Sequence, residues 1–183
     1  MSEIQRMPGA VGADVPGDIP SAYKVPLEEI LPVNPRLWSE NRWEETFEAS
    51  IAIAASPDKV WSVLMDTERY HEWNPTYVSV SSGYGPGARI QTRVVKPDGE
   101  SFAMTTTVTS MVANRELRQA GGLAGVLTYN HAWLLSPLSN GTLVRQVDVD
   151  RGAYLWFWDA SWVEPAYQRA NEALAARVLS LEE

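Results

Sequence analysis

The chain has 183 residues, 45% hydrophobic and 21% charged, which suits one domain with a sizeable core. A formal net charge of −8 argues against nucleic acid or an anionic membrane as partner, and the absence of cysteine removes disulfides, thiolate nucleophiles and thiolate-held metals. Two histidines, His71 and His131, are too few for a histidine-rich metal site, so neither metal nor cofactor is expected.

Residues 1–36 hold half of the 12 prolines, several glycines and no periodic apolar pattern. They read as a flexible extension, leaving residues 37–183 as the folded domain. Within "VPLEEILPVNPRLW", Leu27, Ile30, Leu31 and Trp38 need burial and could lie along the domain as an extended cover. No apolar run flanked by basic residues marks a signal peptide, and no stretch approaches the length of a membrane span. A cytoplasmic protein, monomeric or homodimeric, is the default expectation.

From Trp43 the pattern changes. "WEETFEASIAIAA" alternates, with Phe47, Ala49, Ile51 and Ile53 on one face, and predicts a strand. In "SPDKVWSVLMD" Ser56 is placed to cap a helix, Pro57 takes its first position and Asp58 favours its positive end. Val60, Val63 and Leu64 form the buried stripe. "DTERYHEWNP" predicts a second, short helix that stops at Asn74, because Pro75 excludes its predecessor from the α region.

The remainder is a run of strands between turn signals: "YVSVS", "ARIQTRVVK", "SFAMTTTVTSMV", "LRQA", "VLTYNHAWLLS" and "TLVRQVDVD". Short connections favour an antiparallel meander over parallel crossover units. "QAGGLAGV" reads as a flexible hairpin connection. From about Ser161, Ala166, Ala170, Leu174, Val178 and Leu181 recur at helical period, with Pro165 in the first turns. The expected fold is α+β: one strand, two short helices, six more strands and a long C-terminal helix. A curved antiparallel sheet of about seven strands would wrap that helix and enclose a cavity. Eight tryptophans and seven tyrosines against three phenylalanines suit a cavity for a polycyclic or mixed-polarity ligand, since each such ring combines an apolar body with one polar tip.

The opening "IAIAASPDKVWSVLMD", the "YHEWNP" corner, "NREL", "HAWLLSP", "NGT" and Gly152 together resemble the START-like, polyketide-cyclase-type (SRPBCC) superfamily with the helix-grip fold of the birch pollen allergen. The resemblance spans roughly residues 43 to 181. It implies a START-like ligand-binding domain, with Trp73 in the corner as packing or at the pocket rim and His71 on the solvent side. Members include lipid and hormone carriers and aromatase/cyclases, and one branch protects enediyne producers from their own product.

Strand alternation puts Leu127, Tyr129, His131, Trp133 and Leu135 on one face. If that face lines the cavity, Tyr129, His131 and Trp133 touch ligand and His131 is the leading acid or base. Gln146, Asp148 and Asp150 share a face of the next strand. Alternating charge reads as solvated, whereas an inward Asp148 beside His131 would make an acid–base pair in a cyclase. Arg93 and Arg118 are candidates for holding carbonyls, enolates or carboxylates. Tyr154, Trp156, Trp158 and Trp162 precede the last helix, where the resemblance puts the cavity mouth. In the enediyne-resistance reading, Gly121, Gly122 or Gly125 would be a sacrificial hydrogen donor through its weak Cα–H bond. No phosphate loop, nucleophile elbow or metal motif is present. The expected partner is a small hydrophobic or aromatic molecule in bacterial polyketide-type metabolism. The alternatives are a cyclase/aromatase and a self-resistance protein.

Overall fold

The computed structural model describes residues 43–81 and 83–181. The expected N-terminal extension and its apolar residues Leu27, Ile30, Leu31 and Trp38 lie outside the described residues.

Seven strands form one antiparallel sheet in the order β1-β7-β6-β5-β4-β3-β2. They are β1 (Glu44–Ile53), β2 (Tyr77–Val80), β3 (Arg89–Val95), β4 (Ser101–Val112), β5 (Glu116–Leu123), β6 (Leu127–Leu138) and β7 (Gly141–Arg151). Sequential strands pair from β2 to β7, and β1 joins β7 from Glu44↔Arg151 to Ile53↔Thr142. Two short helices, α1 (Pro57–Met65) and α2 (Tyr70–Trp73), follow β1, and the long α3 (Val163–Ser180) closes the chain. This is the expected helix-grip arrangement, with the sheet curved around α3.

Local chemistry accounts for the joints. Ser56 has the extended backbone of an N-cap, but its side chain bonds no helix amide, and Pro57 opens the helix where an N–H would be idle. Val60, Val63 and Leu64 are buried, as their spacing predicts. At the corner, Asn74 Oδ1 accepts from the backbone N–H of Thr76 at 2.9 Å and of Tyr77 at 2.8 Å. Thr76 Oγ1 donates to the Ala166 carbonyl of α3 at 3.0 Å, so the corner fastens the helix pair to the last helix. Tyr70, fully enclosed, donates to the Leu64 carbonyl at 2.7 Å, and Trp73 packs edge-on against its ring. His71 is exposed.

Three local expectations need correction. β5 runs on through Gly121 and Gly122, which pair with Tyr129 and Thr128, so the hairpin turn is confined to the residues after Leu123. β6 likewise continues through Pro137, paired with Thr142. Leu181 lies past the end of α3 and is half exposed, whereas Tyr167 and Asn171 complete the buried helical face with Ala166, Ala170, Leu174 and Val178. Gly152, at φ 143°, ends β7 where a Cβ would overlap the Val126 carbonyl.

The main core lies between α1, α3 and the β6–β7 half of the sheet, and includes Val60, Leu64, Leu117, Trp133, Val144, Leu174 and Val178. Phe47, Ala49, Val163 and Tyr167 form a second cluster toward the other end of α3. Leu174 has no exposed surface. Leu174→Ala should cost about 2–5 kcal/mol in urea unfolding. A loss within experimental error would mean that α3 does not seat on the sheet as described.

Candidate functional site

Between the inner sheet face and the N-terminal half of α3 lies a cavity of about 130 Å³. A cavity of roughly 150 Å³ encloses benzene, so this one has room for about one ring. Its walls come from most of the chain: Tyr77 and Tyr84 from the β2 region, Thr92 and Val94 from β3, and Phe102, Met104 and Thr106 from β4. Gln119 of β5, Tyr129, His131 and Trp133 of β6, and Asp148 and Asp150 of β7 continue it, and Trp158, Trp162, Val163 and Tyr167 close it. Phe102 lines the cavity while 39% exposed, which marks the rim, and it meets Trp162 edge-on at 5.9 Å.

Gln146 organises the polar groups. Its Nε2 donates to the Tyr167 carbonyl at 3.0 Å and to Asn171 Oδ1 at 2.8 Å, both on α3. A carbonyl can only accept, so Gln146 Oε1 must face the other way, where Tyr77 Oη donates at 3.3 Å and His131 Nε2 lies at 3.1 Å. The hydrogen therefore sits on His131 Nε2 and leaves a lone pair on Nδ1. Burial lowers the His131 pKa, against the opposing effects of the Asp148 charge and the Gln146 hydrogen bond, so the imidazole is neutral near pH 7.

His131 and Asp148 are register partners on β6 and β7. Asp148 nevertheless spends Oδ2 on Tyr167, whose hydroxyl donates at 2.6 Å. Burial, then the Asp148 charge, pushes the Tyr167 hydroxyl well above its usual range and keeps it a donor. Asp150 lies two residues from Asp148 on the same face. Burial, followed by the charge and hydrogen bond of Asp148, raises its pKa to about 9. The side-chain atoms Asp148 Oδ1, Asp150 Oδ1 and Trp162 Nε1 are buried without a hydrogen-bond partner among the described residues.

The structure thus gathers Tyr129, His131, Trp133, Asp148 and Trp158 at one cavity. It does not bring the two arginines there. Arg93 is exposed and donates to Ser101 Oγ at 3.0 Å, and Arg118 pairs with Glu116 at 2.9 Å. Trp73, half-buried, packs against the main core and is not in the lining. Trp156 is half exposed against Trp43, with ring centroids 4.9 Å apart, and Tyr154 lies behind Trp158 at 6.2 Å. The Gln146–Asp148–Asp150 face, whose charge reads as solvated, is the buried one because α3 and the aromatic walls cover it. Gly121, Gly122 and Gly125 are not in the lining. Tyr129 crosses Gly121, where a Cβ would meet the ring at 2.5 Å, and its hydroxyl reaches the Thr105 carbonyl at 2.8 Å. Gly125 sits in the open hairpin turn, with nothing near its missing Cβ.

Sequence reasoning missed Gln146, Tyr167 and Gln119 as site residues. Each occupies a buried-face position of an element whose period was readable, so the signal was a polar group in an apolar stripe. No group of three or more metal-ligating side chains occurs among the described residues, and no described helix is long and apolar enough to cross a membrane.

Residues 44–179 match the family model described as polyketide cyclase / dehydrase and lipid transport. Solved structures share the fold at low identity. The ZhuI aromatase/cyclase from Streptomyces sp. R1128 is 18% identical with a TM-score of 0.60, over 76% of this chain and 96% of its own. TTHA0849 from Thermus thermophilus is 17% identical with a TM-score of 0.63, over 76% of this chain and 100% of its own. The di-domain aromatase/cyclase BexL from the BE-7585A biosynthetic pathway is 14% identical with a TM-score of 0.59, over 77% of this chain and 52% of that longer one. No curated protein matches the sequence.

Asp150 generates a pH prediction. Its pKa is raised from 3.8 to about 9, so between those values the folded protein keeps a proton that the unfolded chain has released. Its contribution to stability is therefore full at acid pH and declines as pH rises toward 9. Neutral His131 gives the opposite slope below its ordinary 6.5, which leaves about pH 7 to 9 as the clean window. Denaturant unfolding across that window should show wild type losing stability and Asp150→Asn losing much less. Parallel curves would place Asp150 in an ordinary solvated setting.

Proposed function

Because the chain belongs to the polyketide cyclase / dehydrase and lipid transport family, we propose that it binds a hydrophobic or polycyclic small molecule in this cavity, in bacterial polyketide-type secondary metabolism. The observation that supports this most is the enclosed space itself. Tyr77, Tyr129, Trp133, Trp158, Trp162 and Tyr167 surround it, and Thr92, Thr106, Gln119, His131, Asp148 and Asp150 add polar groups from the sheet. Such a site removes an aromatic body from water and orients it by a handful of directed contacts. At about 130 Å³ the cavity takes one ring, so a larger polycycle would extend past Phe102 and Trp162 at the rim.

A second reading, cyclase or aromatase, is favoured by His131. Its Nδ1 lone pair, held by the Nε2 contact to Gln146, is available to take a proton from an activated methylene of a poly-β-keto chain. The cavity would supply most of the rate by folding that chain into one reactive geometry. Tyr167 gives its one hydroxyl hydrogen to Asp148 and so holds that carboxylate in place beside the cavity.

Native mass spectrometry of freshly purified protein should reveal a retained aromatic or polyketide-like molecule, and that molecule should quench tryptophan fluorescence on re-addition. Trp158→Ala should weaken binding by about 1–3 kcal/mol, whereas Trp156→Ala, outside the lining, should not. Equal loss in both variants, or none in either, would remove the cavity as the binding site. Conversion of a poly-β-keto substrate that disappears in His131→Ala would select the cyclase reading. Bound ligand recovered unchanged would select a carrier.

A further inference from the structure

The cavity wall carries an electrostatic feature that plain hydrophobic binding does not use. Asp148 and Asp150 project from the same face of β7, only 5% and 3% exposed. Apart from the hydrogen bond between the two carboxyls themselves, each keeps one oxygen, Oδ1, buried and without a partner among the described residues. Tyr167 supplies a single donor, to the other oxygen of Asp148. Neither lysine nor arginine is among the lining residues, and His131, the other titratable nitrogen there, is neutral. A buried carboxylate without a counter-charge is costly, and buried acceptors are rarely left unmet.

The rest of the wall has a matching character. Tyr77, Tyr129, Trp133, Trp158 and Tyr167 line the same small space as the two carboxyls. Aromatic faces carry negative partial charge and attract cations, most strongly where water is excluded. Acidic groups and rings therefore favour the same sign of ligand, and both disfavour an anion.

We propose that the ligand carries a basic amine, whose ammonium group sits at Asp148 and Asp150 while its ring or apolar body packs against the surrounding aromatics. This rests on the reading of the cavity as a ligand site and narrows its substrate class. Asp150, held protonated at neutral pH by burial and by its neighbour Asp148, hydrogen-bonds to that carboxyl, so the pair would carry one negative charge, which one ammonium balances. Its N–H groups can serve the carboxyl lone pairs that the Asp148–Asp150 hydrogen bond leaves unmet. A neutral alcohol could serve one oxygen but would leave the charge unanswered.

The test compares two single-ring probes of nearly the same shape, benzylamine as its ammonium ion and benzyl alcohol, titrated into the full chain at neutral pH and followed by NMR. The ammonium should bind about tenfold or more tightly than the alcohol. In the double variant Asp148→Asn/Asp150→Asn, checked for native circular dichroism and cooperative melting, that preference should shrink toward equality with alcohol affinity little changed, whereas either single variant keeps one carboxyl and part of the preference. Alcohol binding as well as the ammonium in wild type would overturn the amine and leave the hydrophobic cavity standing. Binding of neither probe would overturn both. A preference that survives the double substitution would also overturn the assignment, by tracing it to the overall negative charge.

Discussion

One buried amide holds the architecture of the site together. Gln146 is completely enclosed near the middle of β7, and its two ends face opposite layers. The NH₂ group donates twice into α3, to the Tyr167 carbonyl and Asn171 Oδ1, while the oxygen meets Tyr77 and His131 on the sheet side. An unsatisfied buried amide would be costly, so sheet and helix must keep the spacing that serves all four contacts. The contact to the Tyr167 backbone fixes where the Tyr167 side chain begins, hence where its hydroxyl meets Asp148. The contact to His131 decides which imidazole nitrogen bears hydrogen. Position of the helix, tautomer of the histidine and orientation of the carboxylate follow from one side chain.

This arrangement separates two ends of the interior. Toward the C-terminal half of α3, Leu174 and Val178 pack on Val60, Leu64 and Val144 as an apolar core. Toward its N-terminal half, Tyr167 and Asn171 replace alkyl groups, and the sheet opposite offers Gln146, Asp148 and Asp150. A polar group needs directed partners where a leucine needs only neighbours, so this end packs less tightly and retains open volume. The raised pKa of Asp150 is the energetic mark of that compromise. A carboxyl kept from water holds its proton far above the ordinary range, at a cost to stability as pH rises. Proteins tolerate such groups where binding or chemistry uses them.

The fold was legible because its signals are local. Pro57 at a helix start, the Asn74-Pro75 stop, alternation in β1 and the 3.6-residue stripe of α3 each constrain a few residues, and all agree. The site was legible only in part. His131 and Asp148 could be placed on facing strands by counting, but the side of β7 that carries its charges could not, because solvated faces and buried acidic sites share the same alternation. The arginines were read by residue type. Their own strands already pointed them outward, since Ile90, Thr92 and Val94 alternate with Arg93, and Leu117 and Gln119 with Arg118. Tyr167 and Gln146 escaped because a buried polar residue looks like an interruption until its partner, far away in sequence, is known. Gln146 and Tyr167 are 21 positions apart and meet only in the folded state.

The state of the His131 ring tests the central role of Gln146 most directly. The chain has only two histidines, so long-range ¹H–¹⁵N spectra of ¹⁵N-labelled protein, with His71→Ala to assign the signals, isolate it. The account predicts a neutral ring at pH 7 with hydrogen on Nε2 and a bare Nδ1, and loss of that fixed tautomer in Gln146→Leu. An imidazolium at pH 7, a ring protonated at Nδ1, or a Gln146→Leu spectrum unchanged from wild type would contradict it.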